Sequence, residues 1–278
     1  MVKKIFNADD FGATRGINQA VAKAYHEGIL NSTSIMISLD FVAEALELAQ
    51  KMPNLDIGLH LNLTNERAVS NPKDIPLLAD EKGRFKHGFV NLLLLSIFRF
   101  RQFRREVELE TRAQIEKAQK YGIKLSHIDS HRHIHHIPLI FGVVKKLARE
   151  YQIPRIRVVN ENIFNTLKSN RDKSYLKDGG LIKYLVLRSL ALWNRIWFRH
   201  KTDTYFYSIL YTCKLSRERF KNLRVPQGYK AIEVGIHPAM PEIDEKYKSE
   251  LFDLNVLSPW RSKELETLLD KHIADEIR

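Results

Sequence analysis

The chain has 278 residues, 44% of them hydrophobic, and a formal net charge of +12. That length suits one large α/β domain or two small ones, and the apolar share is enough for a real core. The single cysteine, Cys213, excludes an internal disulfide and fits a reducing compartment, whereas the charge invites a nucleic-acid or anionic-membrane partner without choosing between them.

Val2 to Asn7 reads as a short apolar strand ending in the polar cluster Asn7-Ala8-Asp9-Asp10-Phe11-Gly12. Residues 14–28 follow as a helix, with Ile17, Ala20, Val21, Ala24 and Tyr25 on one face and Gly28 as its stop. Thr33 to Ser38 is a buried strand, Val42 to Ala49 a helix closed before Pro53, and Leu55 to Leu63 a further strand. A long helical region covers 90–121. Leu125 to Asp129 is a strand, and Leu139, Val143 and Leu147 mark the helix after it. Ile153 to Val159 is a strand, 181–199 a helix, Tyr205–Tyr211 and Ala231–Ile236 late strands, and 260–274 the final helix.

Strands alternating with helices imply a parallel sheet with helices outside. This many units predicts a closed or nearly closed β/α barrel, possessing one domain over 1–278 with helical insertions near 90–121 and 176–200. An open doubly wound sheet is the alternative and would place a site at the same edge. The unusual polar residues fall at or near strand carboxyl ends: Asp9 and Asp10, His60, His127 and Asp129, and His237. The stretch Met1 to Asn7 has no signal-peptide hydrophobic run, so cytoplasmic residence is the expectation.

The densest chemistry lies in His127-Ile128-Asp129-Ser130-His131-Arg132-His133-Ile134-His135-His136, which holds five of the eleven histidines. Neutral imidazole is a common metal ligand and suits proton transfer near neutral pH. Read as a strand, the segment places His127, Asp129, His131, His133 and His135 on one face. Gly58-Leu59-His60-Leu61-Asn62-Leu63-Thr64 alternates, with His60 opposite the leucines. His237 precedes Pro238 at a strand end. Asp10, His60 and His127 together would make a two-histidine, one-carboxylate site with positions open for water and substrate.

The segments Asn7–Gly12, Gly58–Thr64, His127–His131 and Gly235–Pro238, in this order, resemble the YdjC-like carbohydrate deacetylase family, including its chitooligosaccharide and hopanoid-associated branches. Gly28–Ser34 and 259–269 extend the resemblance over nearly the whole chain. It implies a β/α-barrel-like fold and one divalent ion, Mg2+ or Zn2+, used to remove acetyl groups from N-acetylated sugars. On this resemblance Asp10, His60 and His127 are the ligands and Asp9 the base. Leu39-Asp40 departs from the family pattern and bears on substrate identity. A general acid is also needed, with His237 the first choice and His131 the second. His131, Arg157 and Asp129 are expected at the substrate. A phosphoesterase, or a glycosidase using Asp9 and Asp129, is the competing enzyme reading. A nucleic-acid-binding protein is the non-enzyme alternative; it lacks a recognisable motif and leaves the histidines unexplained.

Two segments are basic and aromatic. Leu92–Phe98 runs into Arg99, Arg101, Arg104 and Arg105. Leu181–Arg199 combines Leu185, Val186, Leu190, Trp193, Ile196 and Trp197 with Lys183, Arg188, Arg195 and Arg199. Neither suits a bilayer span, but both suit peripheral attachment to the inner membrane face, with barrel packing or a homodimer interface as the competing use.

Overall fold

The computed structural model describes residues 2–169, 172–221, 223–251 and 253–278. Among these, one parallel sheet contains β1 (Lys3–Phe11), β2 (Ser32–Ile35), β3 (Asp56–Leu61), β4 (Ile128–Ser130), β5 (Thr204–Tyr207) and β6 (Ala231–Ile236), in the order β4-β3-β2-β1-β6-β5. The connecting helices are α1 (Arg15–Glu27), α2 (Val42–Ala49), α3 (Phe89–Phe98), α4 (Phe100–Lys120), α5 (Pro138–Glu150), α6 (Ile163–Ser169), α7 (Ser174–Lys177), α8 (Gly180–Trp197), α9 (Pro241–Asp244), α10 (Pro259–Leu269) and α11 (Ile273–Glu276).

The sheet curls into an incomplete TIM-type barrel. The expected strand over Ile153–Val159 is reduced to a single parallel bridge, Ile128 to Ile156. Ile128 N–H donates to Arg155 O (2.9 Å) and Arg157 N–H to Ile128 O (3.0 Å). Pro154 has no N–H to contribute to a longer ladder. On the other side the Asn160 side chain bonds β5, donating to Thr204 O (2.9 Å) and accepting from Phe206 N–H (2.7 Å). A side chain thus stands where a ladder would close the barrel.

Alternation along the strands separates two environments. Phe6, Ala8, Leu59, Leu61, Ile128, Ile232 and Val234 join the hydrophobic core. The intervening residues are polar and bond one another inside the curl: Ser32 Oγ donates to Asn7 (2.6 Å), Asn7 to Ser34 (2.7 Å) and Ser34 to Asp129 (2.6 Å). Gly58 makes room there, since a Cβ would lie 2.4 Å from the His127 ring.

Three differences from the expected elements matter for the site. The helical region over 90–121 is broken at Arg99 into α3 and α4. The sheet register shifts between Ala8 and Phe11, where Asp10 has φ of 69°. The histidine-rich strand stops at Ser130, because Arg132 and His133 adopt left-handed φ of 56° and 54°. The alternation expected through His135 therefore fails after Ser130. Left-handed non-glycine residues are costly, about 1–3 kcal/mol each, and cluster where function over-determines the backbone.

Candidate active site

The carboxyl edge of the sheet opens into a cavity of about 600 Å³, with Asp9, Asp10, His60, His131, His237 and Arg261 among its lining residues. In a regular strand Asp9 and Asp10 would point to opposite faces. The register shift and the left-handed Asp10 turn both onto the cavity.

Asp10 Oδ1 lies 3.3 Å from His60 Nε2 and 3.2 Å from His131 Nδ1. Its Oδ2 accepts from Arg261 Nη1 (3.2 Å) and Nη2 (3.3 Å). Burial alone would raise the Asp10 carboxyl, but bonds from His131 and His60 and the nearby Arg261 hold it well below the usual range. Behind His60, its Nδ1 is 2.7 Å from Asp129 Oδ1. Burial lowers the His60 pKa, but the surrounding carboxylates of Asp129, Asp10 and Asp9 outweigh it and push it up to about 10. The field at this point therefore favours positive charge.

Asp9 sits beside this cluster. Arg157 clamps it with two bonds, Nη1 to Oδ2 (2.7 Å) and Nη2 to Oδ1 (2.8 Å), and Asn7 donates to Oδ1 (2.8 Å). Burial raises the Asp9 carboxyl, but Arg157 prevails and holds it below its ordinary value. His237 Nε2 is 3.7 Å from Asp9 Oδ2, and its backbone N–H donates to Glu264 Oε2 (2.6 Å). Burial pushes the His237 imidazole down to about 4, against the pull of Asp9. It is neutral at neutral pH.

The donor atoms of Asp10, His60 and His131 lie within 4.8 Å of one another, as do those of Asp9, His60 and Asp129. Only the first set suits a cation. Its carboxylate and two imidazole nitrogens converge on the open cavity. The second set already contains the Arg157 guanidinium, 2.5 Å from Asp129 and 2.7 Å from Asp9, and a metal there would compete with a fixed positive charge. In the first set Asp129 fixes the His60 tautomer, leaving Nε2 as the donor, a common support for metal-binding histidine.

Several expected positions differ in the structure. His127 does not converge on Asp10: its Nδ1 is 2.9 Å from Ser126 Oγ and its Nε2 3.2 Å from Ser34 Oγ, one layer below the cavity. His131 is the histidine that lies beside Asp10, at 3.2 Å, because the chain turns after Ser130. Arg157 is not a surface residue. It is 1% exposed and bound by Asp9, Asp129 and Glu233. Asp129 is 0% exposed, and bonded to His60, Ser34 and Arg157 beneath the cavity. Both bind the site's own residues, and the Arg157 guanidinium bridges Asp9 and Asp129, the two carboxylates of the glycosidase alternative.

Arg261 and Glu264 on α10 escaped the sequence reading. The available signal was Arg261 in the first turn of a helix, where the dipole disfavours a cation. Glu233, inside the apolar strand Ala231–Ile236, was a second such signal.

A barrel-like parallel sheet with a carboxylate–imidazole cluster at its carboxyl edge has the architecture of barrel proteins whose sites lie on their strand ends. The chain belongs to the YdjC-like protein family, whose model matches residues 3–278. It is similar to a carbohydrate deacetylase of Brevibacillus brevis, 40% identical over 153 residues, which are 55% of this chain and 58% of that protein. A carbohydrate deacetylase of Thermoanaerobacter pseudethanolicus is 37% identical over 150 residues, covering 54% of this chain and 58% of the relative. The matched stretch thus spans less than two thirds of these relatives. A crystal structure from Enterococcus faecalis V583, described as a candidate cellobiose-phosphate cleavage protein, superposes with a TM-score of 0.69 at 27% identity, over 99% of this chain and 94% of that one.

Proposed function

We propose that this chain is a metal-dependent deacetylase of N-acetylated amino sugars or glycans. The observation that carries the reading is the convergence of Asp10, His60 and His131 at the cavity, with the ionised Asp9 and the neutral His237 beside them. Two imidazoles and one carboxylate suit Zn2+ better than Mg2+. When bound, such an ion polarises an acetyl carbonyl and acidifies a water.

The chain's own residues supply the rest. Asp9, fixed by Arg157 and Asn7, accepts the proton of the attacking water. As the carbon–nitrogen bond breaks, the amine needs a proton. The proton that Asp9 took from the water passes to His237, whose Nε2 is 3.7 Å from Asp9 Oδ2, and His237 delivers it to the amine; Glu264 holds the His237 backbone in place. Arg157 keeps Asp9 ionised and oriented, and Asp129 holds the His60 ring in position through Nδ1. The likeness to carbohydrate deacetylases supports the acetylated sugar, and the likeness to the Enterococcus protein raises a phosphorylated disaccharide as the competing substrate. Incubation of the zinc-loaded and chelator-stripped protein with N-acetylglucosamine oligomers decides between them. Acetate and free amine should appear together only with metal. Release of phosphate or a new reducing end without acetate would overturn the reading.

A further inference from the structure

The outer surface carries a feature that the reaction does not use. A helix against a barrel normally turns its apolar stripe inward and its polar face to solvent. On α8 the outward stripe is itself apolar. Ile182 (71% exposed), Leu185, Val186, Leu192, Trp193, Ile196 (65%) and Trp197 (67%) occupy it, interrupted by Ser189. Tyr184, Leu187, Ala191 and Asn194 face the protein. Trp193 and Trp197 stack at 5.4 Å on the open side.

The same inversion recurs on α3, where Val90, Leu94, Ile97 and Phe98 are exposed, followed by Phe100 at the start of α4. Both α3 and α8 pack against the 131–136 turn, so they flank the same part of the molecule. The stripe on α8 begins beside Gly179, Gly180 and Lys183 of the cavity wall.

Cations accompany both stripes. Arg99, Arg101, Arg104 and Arg105 are exposed at the α3–α4 junction, and Arg195 and Arg199 at the end of α8. Arg101 stands in the first turn of α4, which holds no acidic residue, against the preference of the helix dipole. Nearby acids are engaged elsewhere. Glu106 accepts from Leu77 and Leu78 N–H, and Glu108 pairs with Arg112 and Lys146. Among the described residues none of these six arginines has a carboxylate within salt-bridge reach. Among them, too, no helix is long and apolar enough to cross a membrane.

We propose that the α3–α8 face docks on an anionic lipid bilayer, with the apolar stripes in the interface and the arginines on lipid phosphates. Tryptophan and aliphatic residues on one face, bordered by arginine, match an interfacial helix in composition. A second copy of this chain would bring the same six arginines face to face, so charge complementarity favours the bilayer. The inference stands independently of the proposed reaction.

The test is flotation of the full chain with vesicles of phosphatidylcholine containing 30% phosphatidylglycerol, against phosphatidylcholine alone, at low and high salt. Binding should require the anionic lipid, weaken at least tenfold at high salt, and shift tryptophan emission to the blue. Trp193→Ser with Trp197→Ser, and separately Arg195→Glu with Arg199→Glu, should each cut binding at least tenfold while far-ultraviolet dichroism is unchanged. Absence of flotation at low salt overturns the proposal, as does flotation that both double variants retain. A dimer in sedimentation that the Trp193→Ser, Trp197→Ser variant dissociates, without flotation, assigns the face to self-association.

Discussion

Asp129 joins the two halves of the site: one of its oxygens lies 2.7 Å from His60 Nδ1 and the other 2.5 Å from Arg157 Nη2. Removing its charge reaches His60, the proposed metal ligand, without touching the cavity. Asp129→Asn should weaken zinc binding roughly 10–100-fold, the usual effect of losing a carboxylate behind a ligating histidine. Titration calorimetry with zinc measures it, and unchanged affinity would dissociate Asp129 from the ligand set.

The proposed reaction gives His131 the ligand role expected of His127, since His131 is the histidine beside Asp10. His131→Ala should abolish stoichiometric zinc in the purified protein. His127→Ala should retain it, since the His127 ring nitrogens meet Ser126 and Ser34. Elemental analysis of the two variants decides, and metal loss in His127→Ala alone would restore the expected set.

The elements were legible because helical spacing and strand alternation are local. Ile17, Ala20, Val21 and Ala24 announce α1, and all four are buried. Asp9, Asp10, His60 and His237 were legible as polar residues at strand ends. The exchange of His127 for His131 was not, because it depends on left-handed Arg132 and His133, residue types that do not advertise such a backbone. The burial of Arg157 was not legible either: the inside of the curl is polar, and three carboxylates hold the guanidinium there. The separation of the helical region into α3 and α4 escaped because Arg99 carries no breaker signature.

Gly58 should not tolerate a side chain while His127 is present. Its Cβ would meet the His127 ring at 2.4 Å, and overpacking typically costs about 1–3 kcal/mol. Gly58→Ala should lower the thermal midpoint, and combining it with His127→Ala should cost less than the sum of the two. Additive losses in denaturant titrations would mean that the close approach relaxes by other means.

Glu264 gives a pH dependence with a definite sign. Burial pushes its carboxyl up from 4.5 to about 7, despite the N–H bonds from Leu215 and His237. Between those values the folded protein holds a proton that the unfolded chain releases. This residue's contribution to stability is therefore present below about pH 4.5 and lost as pH rises through about 7. Glu264→Gln should be less stable at pH 5, where it loses a carboxyl, but its stability should fall less than the wild type's between pH 5 and 8. Parallel stability curves for the two proteins would remove Glu264 as the titrating group.

Arg157 and Asp9 are partners with unequal structural weight. Arg157→Met leaves Asp9, Asp129 and Glu233 buried without their shared cation, and breaking a buried ion pair from one side typically costs about 3–5 kcal/mol. Asp9→Asn leaves the guanidinium with Asp129 and Glu233, so the fold should survive with a smaller loss. Its chemical effect should be the larger: a neutral amide cannot take the water's proton, and turnover should fall about 10²–10⁴-fold with zinc still bound. Thermal melts, zinc content and acetate release on the same two variants separate the roles. An Asp9→Asn protein that stays folded, holds zinc and turns over near the wild-type rate would exclude Asp9 as the base, leaving Arg157 as a purely structural clamp.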